Sequence, residues 1–141
     1  MFEIRMAETP VEIQRCFRVM SFLRPHVGES EFVPRVQQQQ AEGYQLAYVQ
    51  DAGEVVAAAG FRVMEVLATG RTMYVDDLVT DETRRSLGYG KAMLEWLQAR
   101  AREQGCETFS LDSGTHRQEA HAFYFRERMR VTSFHFAKKL K

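Results

Sequence analysis

Two glycines two residues apart, with a basic pair before them and a lysine after, stand in Arg84-Arg85-Ser86-Leu87-Gly88-Tyr89-Gly90-Lys91. Downstream, Gly90, Met93, Leu94, Leu97 and Ala101 recur at three- and four-residue steps, which is helical spacing. A glycine turn opening a helix is an anion seat. The first backbone N–H groups have no partner inside the helix, the macrodipole adds partial positive charge, and glycine keeps side chains out of the way. Just upstream, Asp76 and Asp77 lie in Met73–Val79, a stretch rich in β-branched and aromatic residues that reads as a strand. Successive side chains on a strand face opposite ways, so one carboxylate of the pair faces any site at that end. It would take up a proton through water or hold a cation; otherwise the pair is simply solvated at a strand end. Tyr124 adds a phenol, a group that stays protonated at neutral pH when unperturbed and so suits a general acid.

Other chemistry-bearing residues read more plainly. His121 and His135 are candidate bases by residue type, and histidines also serve as hydrogen-bonding groups in cores. His116 and His121 are five apart, which does not align them on one helix face, so no metal site is expected. Cys16 and Cys106 read as free thiols, Cys106 as a small buried hydrophobe. Trp96 falls near the apolar stripe of the long helix and reads as packing.

These residues must be held by one domain, because 141 residues suffice for one core and not for two. The formal net charge is zero, which gives no electrostatic reason to expect nucleic acid or an anionic membrane as partner. No apolar run approaches the roughly 18 residues that span a bilayer, and no secretory leader is recognisable, so a cytoplasmic location is expected.

In chain order, Phe2–Met6 alternates as a short strand. Thr9-Pro10-Val11-Glu12 announces a helix with a capping box and proline at its first position, and Arg24-Pro25 ends it. A second helix is expected after Ser30, stopping near Gly43, and the segment between the two suits a substrate entrance. Tyr44–Gln50 and Val55–Met64 flank Asp51-Ala52-Gly53-Glu54, a hairpin signal. Val66–Arg71 reads as a loop into the strand Met73–Val79. After the long helix, Gly105 is a C-terminal cap, Thr108–Asp112 a strand, Arg117–Arg128 a helix and Val131–Leu140 a final alternating strand. Strand, helix, strand at this spacing implies a right-handed crossover and one parallel pair in an otherwise antiparallel sheet.

The glycine turn fails two better-known phosphate patterns. A P-loop needs Gly-x-x-x-x-Gly-Lys-Ser/Thr, but Arg85 holds the first glycine position and Ala92 follows Lys91. A dinucleotide fingerprint needs glycine or alanine where Met93 stands. What remains, Arg85-x-x-Gly88-x-Gly90, resembles the Gln/Arg-x-x-Gly-x-Gly/Ala signature of the GNAT N-acetyltransferase superfamily. The resemblance extends over nearly the whole chain through Tyr74–Val79, Leu111–Gly114, Arg117-x-x-Ala120-His121-x-Phe123-Tyr124 and Ser133-x-His135-Phe136, in the order of a small bacterial-type member.

That resemblance implies an α/β fold, a mostly antiparallel central sheet with one parallel pair and about four flanking helices. It implies acetyl-CoA as cosubstrate. Leu78, Val79 and Thr80 would run beside its pantetheine arm, and Arg85, Ser86, Leu87, Gly88, Tyr89, Gly90 and Lys91 would cradle its pyrophosphate. Catalysis would fall to Tyr124 as acid, with Asp76 or Asp77 handling the amine and the backbone N–H of Val79 facing the oxyanion. The partners implied are a small-molecule or peptide amine and, as in many members, a second copy in a homodimer. The alternative is a non-catalytic acyl-CoA-binding sensor or interaction module. One departure is visible: where many members carry Gly-Phe or Gly-Tyr after the tyrosine-bearing helix, this chain reads Arg128-Met129-Arg130-Val131, with Met129 in place of the usual glycine.

Overall fold

A computed structural model of the chain describes residues 1–85 and 87–141; Ser86, one of the expected cradle residues, lies outside them. The chain opens with β1 (Phe2–Met6). Thr9 then caps α1 (Pro10–Arg15) with the capping box legible in the sequence. The Glu12 N–H donates to the Thr9 hydroxyl at 3.2 Å, and the Thr9 N–H donates to the Glu12 carboxylate at 2.9 Å. The helix expected to run on to Arg24 breaks once, at Cys16, whose N–H reaches back only three residues to the Ile13 carbonyl, and α2 (Phe17–Leu23) continues beyond it. α3 (Glu29–Gln40) starts earlier than Ser30 because the Gly28 N–H donates to the Glu31 carboxylate at 3.1 Å.

The sheet is built on hairpins. β2 (Gln45–Asp51) and β3 (Glu54–Val66) are joined by Ala52 and Gly53 at φ 51° and 79°, the pair of positive values that matches strand twist in a two-residue turn. β3 and β4 (Gly70–Thr80) run closer together than expected. Of Val66–Arg71 only residues 67–69 are turn, with Val66 opposite Gly70 and an Arg71–Glu65 ion pair at 3.2 Å across the strands. A 3₁₀ turn (Glu82–Arg84) leads to α4 (Tyr89–Glu103), and β5 (Thr108–Leu111) follows. The strand order is β1-β2-β3-β4-β5; the first four pair antiparallel, and α4 crosses over so that β4 and β5 form the parallel pair. Gly105, at φ 75°, closes α4 in a Schellman turn, with the Cys106 N–H on the Ala101 carbonyl and its own N–H on that of Arg102.

Both faces of the sheet are covered, so its middle strands read as apolar runs. Leu46 and Tyr48 pack in one cluster with Ile13, Val19, Met20, Phe32 and Val36 of α1–α3. Their neighbours Ala47 and Val49 are also fully buried and face the other way, where α4 lies; there Trp96 meets Phe61 edge-on at 6.2 Å.

These elements up to Ser110 form one compact unit, and Leu111–Lys141 forms a second that carries α5 (Gln118–Arg126). The expected final strand Val131–Leu140 does not form. Residues 129–141 carry no regular structure, and Val131, Phe134, Phe136 and Leu140 are exposed. Alternation supplies the propensity for a strand, but a strand also needs an edge to bond to.

Candidate functional site

β4 owes its usefulness to a bulge. Its pairing with β3 runs from Ala57↔Thr80 to Gly60↔Asp77 and resumes at Phe61↔Val75, which leaves Asp76 as an extra residue. Strict alternation therefore fails there, and Asp76 and Asp77 both line one cavity, where the strand period alone allowed only one of them. Beyond the bulge, the Asp81 N–H donates to the Val56 carbonyl at 2.8 Å. Counting back, Val79 and Ala58 are a pair that exchanges both backbone bonds, so the Val79 N–H points into the sheet. This corrects the expectation for Val79: the backbone groups on the opposite edge belong to Leu78 and Thr80. Glu107, the residue before β5, donates its N–H to the Arg71 carbonyl at 2.7 Å, and β5 is only four residues long, so a parallel register ends it short of Leu78. Leu78–Thr80 thus presents backbone past the end of β5.

The 3₁₀ turn between that edge and α4 is anchored by Asp81. Its buried carboxylate accepts from Arg18 at 2.7 Å and from the Thr83 N–H and hydroxyl at 2.9 and 2.7 Å. The Arg18 bond is the chief cause that holds the carboxyl down at about 2, against desolvation. α4 then starts on Gly88 at φ 86°, ψ 5°, with no side chain capping it and no acidic residue in its first turn. By contrast, Glu12 and Glu31 fill that place in α1 and α3. A Cβ at Gly88 would meet nothing within 4 Å, so glycine is required here for its positive φ and leaves the helix start open. Tyr89 is turned inward, edge-on to Phe2 at 5.3 Å with its hydroxyl on Asp51, so only its backbone can serve a ligand. Arg84 pairs with Glu54, Arg85 and Leu87 are exposed, and the Lys91 ammonium lies 4.0 Å from Glu95. This uncapped, acid-free helix start suits a phosphate.

On the other side of the bulge, the cavity of about 330 Å³ lies between β4 and the segment from α2 to α3. His26 and Val27 of that segment line it, as a substrate entrance requires. Asp77 accepts from Arg24 Nε at 2.8 Å and from the Tyr44 hydroxyl at 2.7 Å. A second Arg24 nitrogen donates to the Asp76 carbonyl at 2.9 Å. The Asp76 carboxylate takes both prongs of Arg62, at 3.1 and 2.9 Å. Burial, and then the Asp77 charge, push the Tyr44 phenol well above its ordinary range. Tyr44 reaches Asp77 because Gly60 has no side chain: a Cβ there would stand 1.8 Å from the Tyr44 oxygen.

Tyr124 belongs to the C-terminal unit, half-buried on α5 with its ring 5.4 Å from that of Phe123. Burial raises its phenol above the ordinary value, and Arg117 partly offsets this. His121 Nε2 lies 2.8 Å from the Gly114 carbonyl, and His135 3.7 Å from Asp112. The missing glycine was expected at Met129, but the left-handed residue that ends α5 is Arg128, one position earlier. It adopts φ 66°, with its N–H on the Phe125 carbonyl and that of Met129 on the Tyr124 carbonyl, the same Schellman turn that Gly105 makes.

Four residues of the site carried no sequence signal as such: Arg18, Arg24, Tyr44 and Arg62. Their partners lie 63, 53, 33 and 14 residues away. Arg24 was marked only as the helix-ending residue before Pro25, and Tyr44 only as the start of a strand. Among the described residues no group of His, Cys, Asp and Glu could hold a metal ion.

Comparison with known proteins bears on the family and the fold. The acetyltransferase (GNAT) family model matches residues 9–129. An uncharacterized N-acetyltransferase of Bacillus subtilis, YhdJ, is 30% identical over 125 residues, which is 88% of each chain. An aminoalkylphosphonate N-acetyltransferase of Salmonella typhimurium is 33% identical over 66 residues, 47% of this chain and 43% of that one. In fold, the chain is similar to an aminoglycoside N-acetyltransferase solved in complex with CoA, with a TM-score of 0.86 at 13% identity, covering 100% of this chain and 96% of the other. A transcriptional regulator from Bacillus halodurans is likewise similar, with a TM-score of 0.87 at 16% identity over 99% and 100%. The chain belongs to the GNAT acetyltransferase family.

Proposed function

We propose that residues 1–141 act as a single N-acetyltransferase domain that moves an acetyl group from acetyl-CoA directly to a primary amine. The observation that carries this reading is the pairing of an uncapped helix start at Gly88 with a strand edge at Leu78–Thr80 that β5 does not cover. The edge would bond the pantetheine amides as an added strand does, and the backbone from Leu87 to Lys91 would hold the pyrophosphate. Ser86 and Arg85 complete the cradle in this reading.

A lysine-like amine is mostly ammonium at neutral pH and must lose a proton before it attacks. Asp76 and Asp77, both on the cavity wall, hold the ammonium and pass its proton to water. The nitrogen then bonds to the thioester carbon, and the oxyanion that forms is met by backbone N–H at the free edge, for which Leu78 replaces Val79. As the carbon–sulfur bond breaks, the thiolate takes a proton from Tyr124, whose raised pKa keeps it protonated until then, and the proton that the acylated nitrogen sheds returns the Tyr124 phenolate to phenol. Binding acetyl-CoA without turning it over would need neither carboxylates beside an amine-sized cavity nor a phenol. The exposed apolar residues of 131–140 support an association of two copies, which sedimentation would detect.

The test is release of free thiol from acetyl-CoA across a panel of alkylamines, polyamines, aminoalkylphosphonates, aminoglycosides and peptide N-termini. Release above hydrolytic background with at least one amine is expected. Tight acetyl-CoA binding with no amine-dependent release would favour a sensor instead.

A further inference from the structure

The charges around the cavity are unevenly used. Both oxygens of Asp76 accept from Arg62, and those of Asp77 accept from Arg24 and Tyr44, so each carboxylate already faces a guanidinium. Arg35 and His26 line the same cavity, are exposed to solvent, and make no hydrogen bond or ion pair among the described residues. Met20, Val27, Phe32 and Val36 supply apolar lining. The cavity therefore offers apolar wall, matched carboxylates and an unmatched guanidinium.

Resting on the proposed acetyl transfer, we infer that the acceptor is a primary amine whose short carbon chain ends in an anionic group, a carboxylate or phosphonate. The amine lies at Asp76 and Asp77 and the anion meets Arg35, with His26 as a second donor. A guanidinium fork fits either head group, because both present paired oxygens. A polyamine or aminoglycoside fits poorly. Its second ammonium would be set against Arg35, with no further carboxylate among the described residues lining the cavity to receive it, and charge mismatch of this kind is how a site rejects a competitor.

Four amines test this: 3-aminopropylphosphonate, 4-aminobutanoate, butylamine and putrescine, each followed by initial rates at saturating acetyl-CoA and by calorimetric titration. The anionic amines are expected to exceed butylamine and putrescine in kcat/KM by about tenfold or more, through KM. Arg35→Gln is expected to bring the ratio of anionic amine to butylamine within about twofold, and Arg35→Lys to restore part of it. An Arg35-dependent advantage for either anionic amine alone supports the inference and names the head group. Equal efficiency across the four, or a ratio unmoved in Arg35→Gln, overturns it while leaving acetyl transfer standing. Arg35-dependent binding of an anionic amine without any acetylated product would do the reverse.

Discussion

At the residue scale, the two most informative groups are a phenol and a carboxylate that environment pushes in opposite directions. Burial raises Tyr124, which suits an acid that must remain protonated until a thiolate forms. Tyr124→Phe is therefore expected to lower turnover about a hundredfold with little change in the KM for acetyl-CoA. Wild-type turnover under chemistry-limited conditions would remove the role. Arg18, in turn, holds Asp81 at about 2, below its ordinary 3.8. A carboxyl depressed in the folded state contributes stability that is complete above about pH 4 and lost as pH falls toward 2. Asp81→Asn is expected to lose about 1–2 kcal/mol at neutral pH, the range allowing for the exposed Arg18, and to flatten the acid limb of the stability profile over that window. Urea unfolding at a series of pH values checks both. Of these two residues only Tyr124 was legible in the sequence, through its motif. Their partners were not, since an Arg18–Asp81 bond spans 63 residues and exists only once α2 lies on the sheet.

Element by element, turns were legible where local chemistry decides them. The Thr9–Glu12 box, the Ala52-Gly53 turn and the Gly105 cap each follow from a few adjacent residues. The bulge at Asp76 was not, because it is a mismatch between two strands and neither strand carries it alone. It is also what brings both Asp76 and Asp77 to the cavity and turns Leu78 rather than Val79 outward. Two glycines separate the halves of the site. Gly60→Ala would drive a methyl into Tyr44 and should raise the acceptor KM, while Gly88→Ala meets open space and should instead weaken acetyl-CoA binding through its strained φ. Calorimetry with acetyl-CoA and acceptor titrations on both variants would show the crossover; identical effects would contradict the division. Arg128 gives a prediction of the other sign. A non-glycine residue at φ 66° is strained, so Arg128→Gly is expected to stabilise the protein by about 0.5–1 kcal/mol in thermal or urea unfolding.

For the whole molecule, the order of elements was readable because each announces itself by period, cap or glycine, and the crossover through α4 fixes the parallel pair. The exception is the stretch after α5. Val131–Leu140 alternates like a strand and carries no regular structure, since periodicity reports what a segment favours and not whether an edge awaits it. The cavity also escaped the motifs, because it is assembled from α2, α3 and β4 and its character depends on which charges remain unmatched after folding. The most direct test of acetyl transfer counts both products in one sample, free CoA by thiol titration and acetylated amine by mass spectrometry, with acetyl-CoA saturating and the best amine of the panel. One acetylated nitrogen per CoA released is the expected result. CoA release without an acetylated amine, or acetyl-CoA bound and left intact in the presence of every amine, would contradict the account.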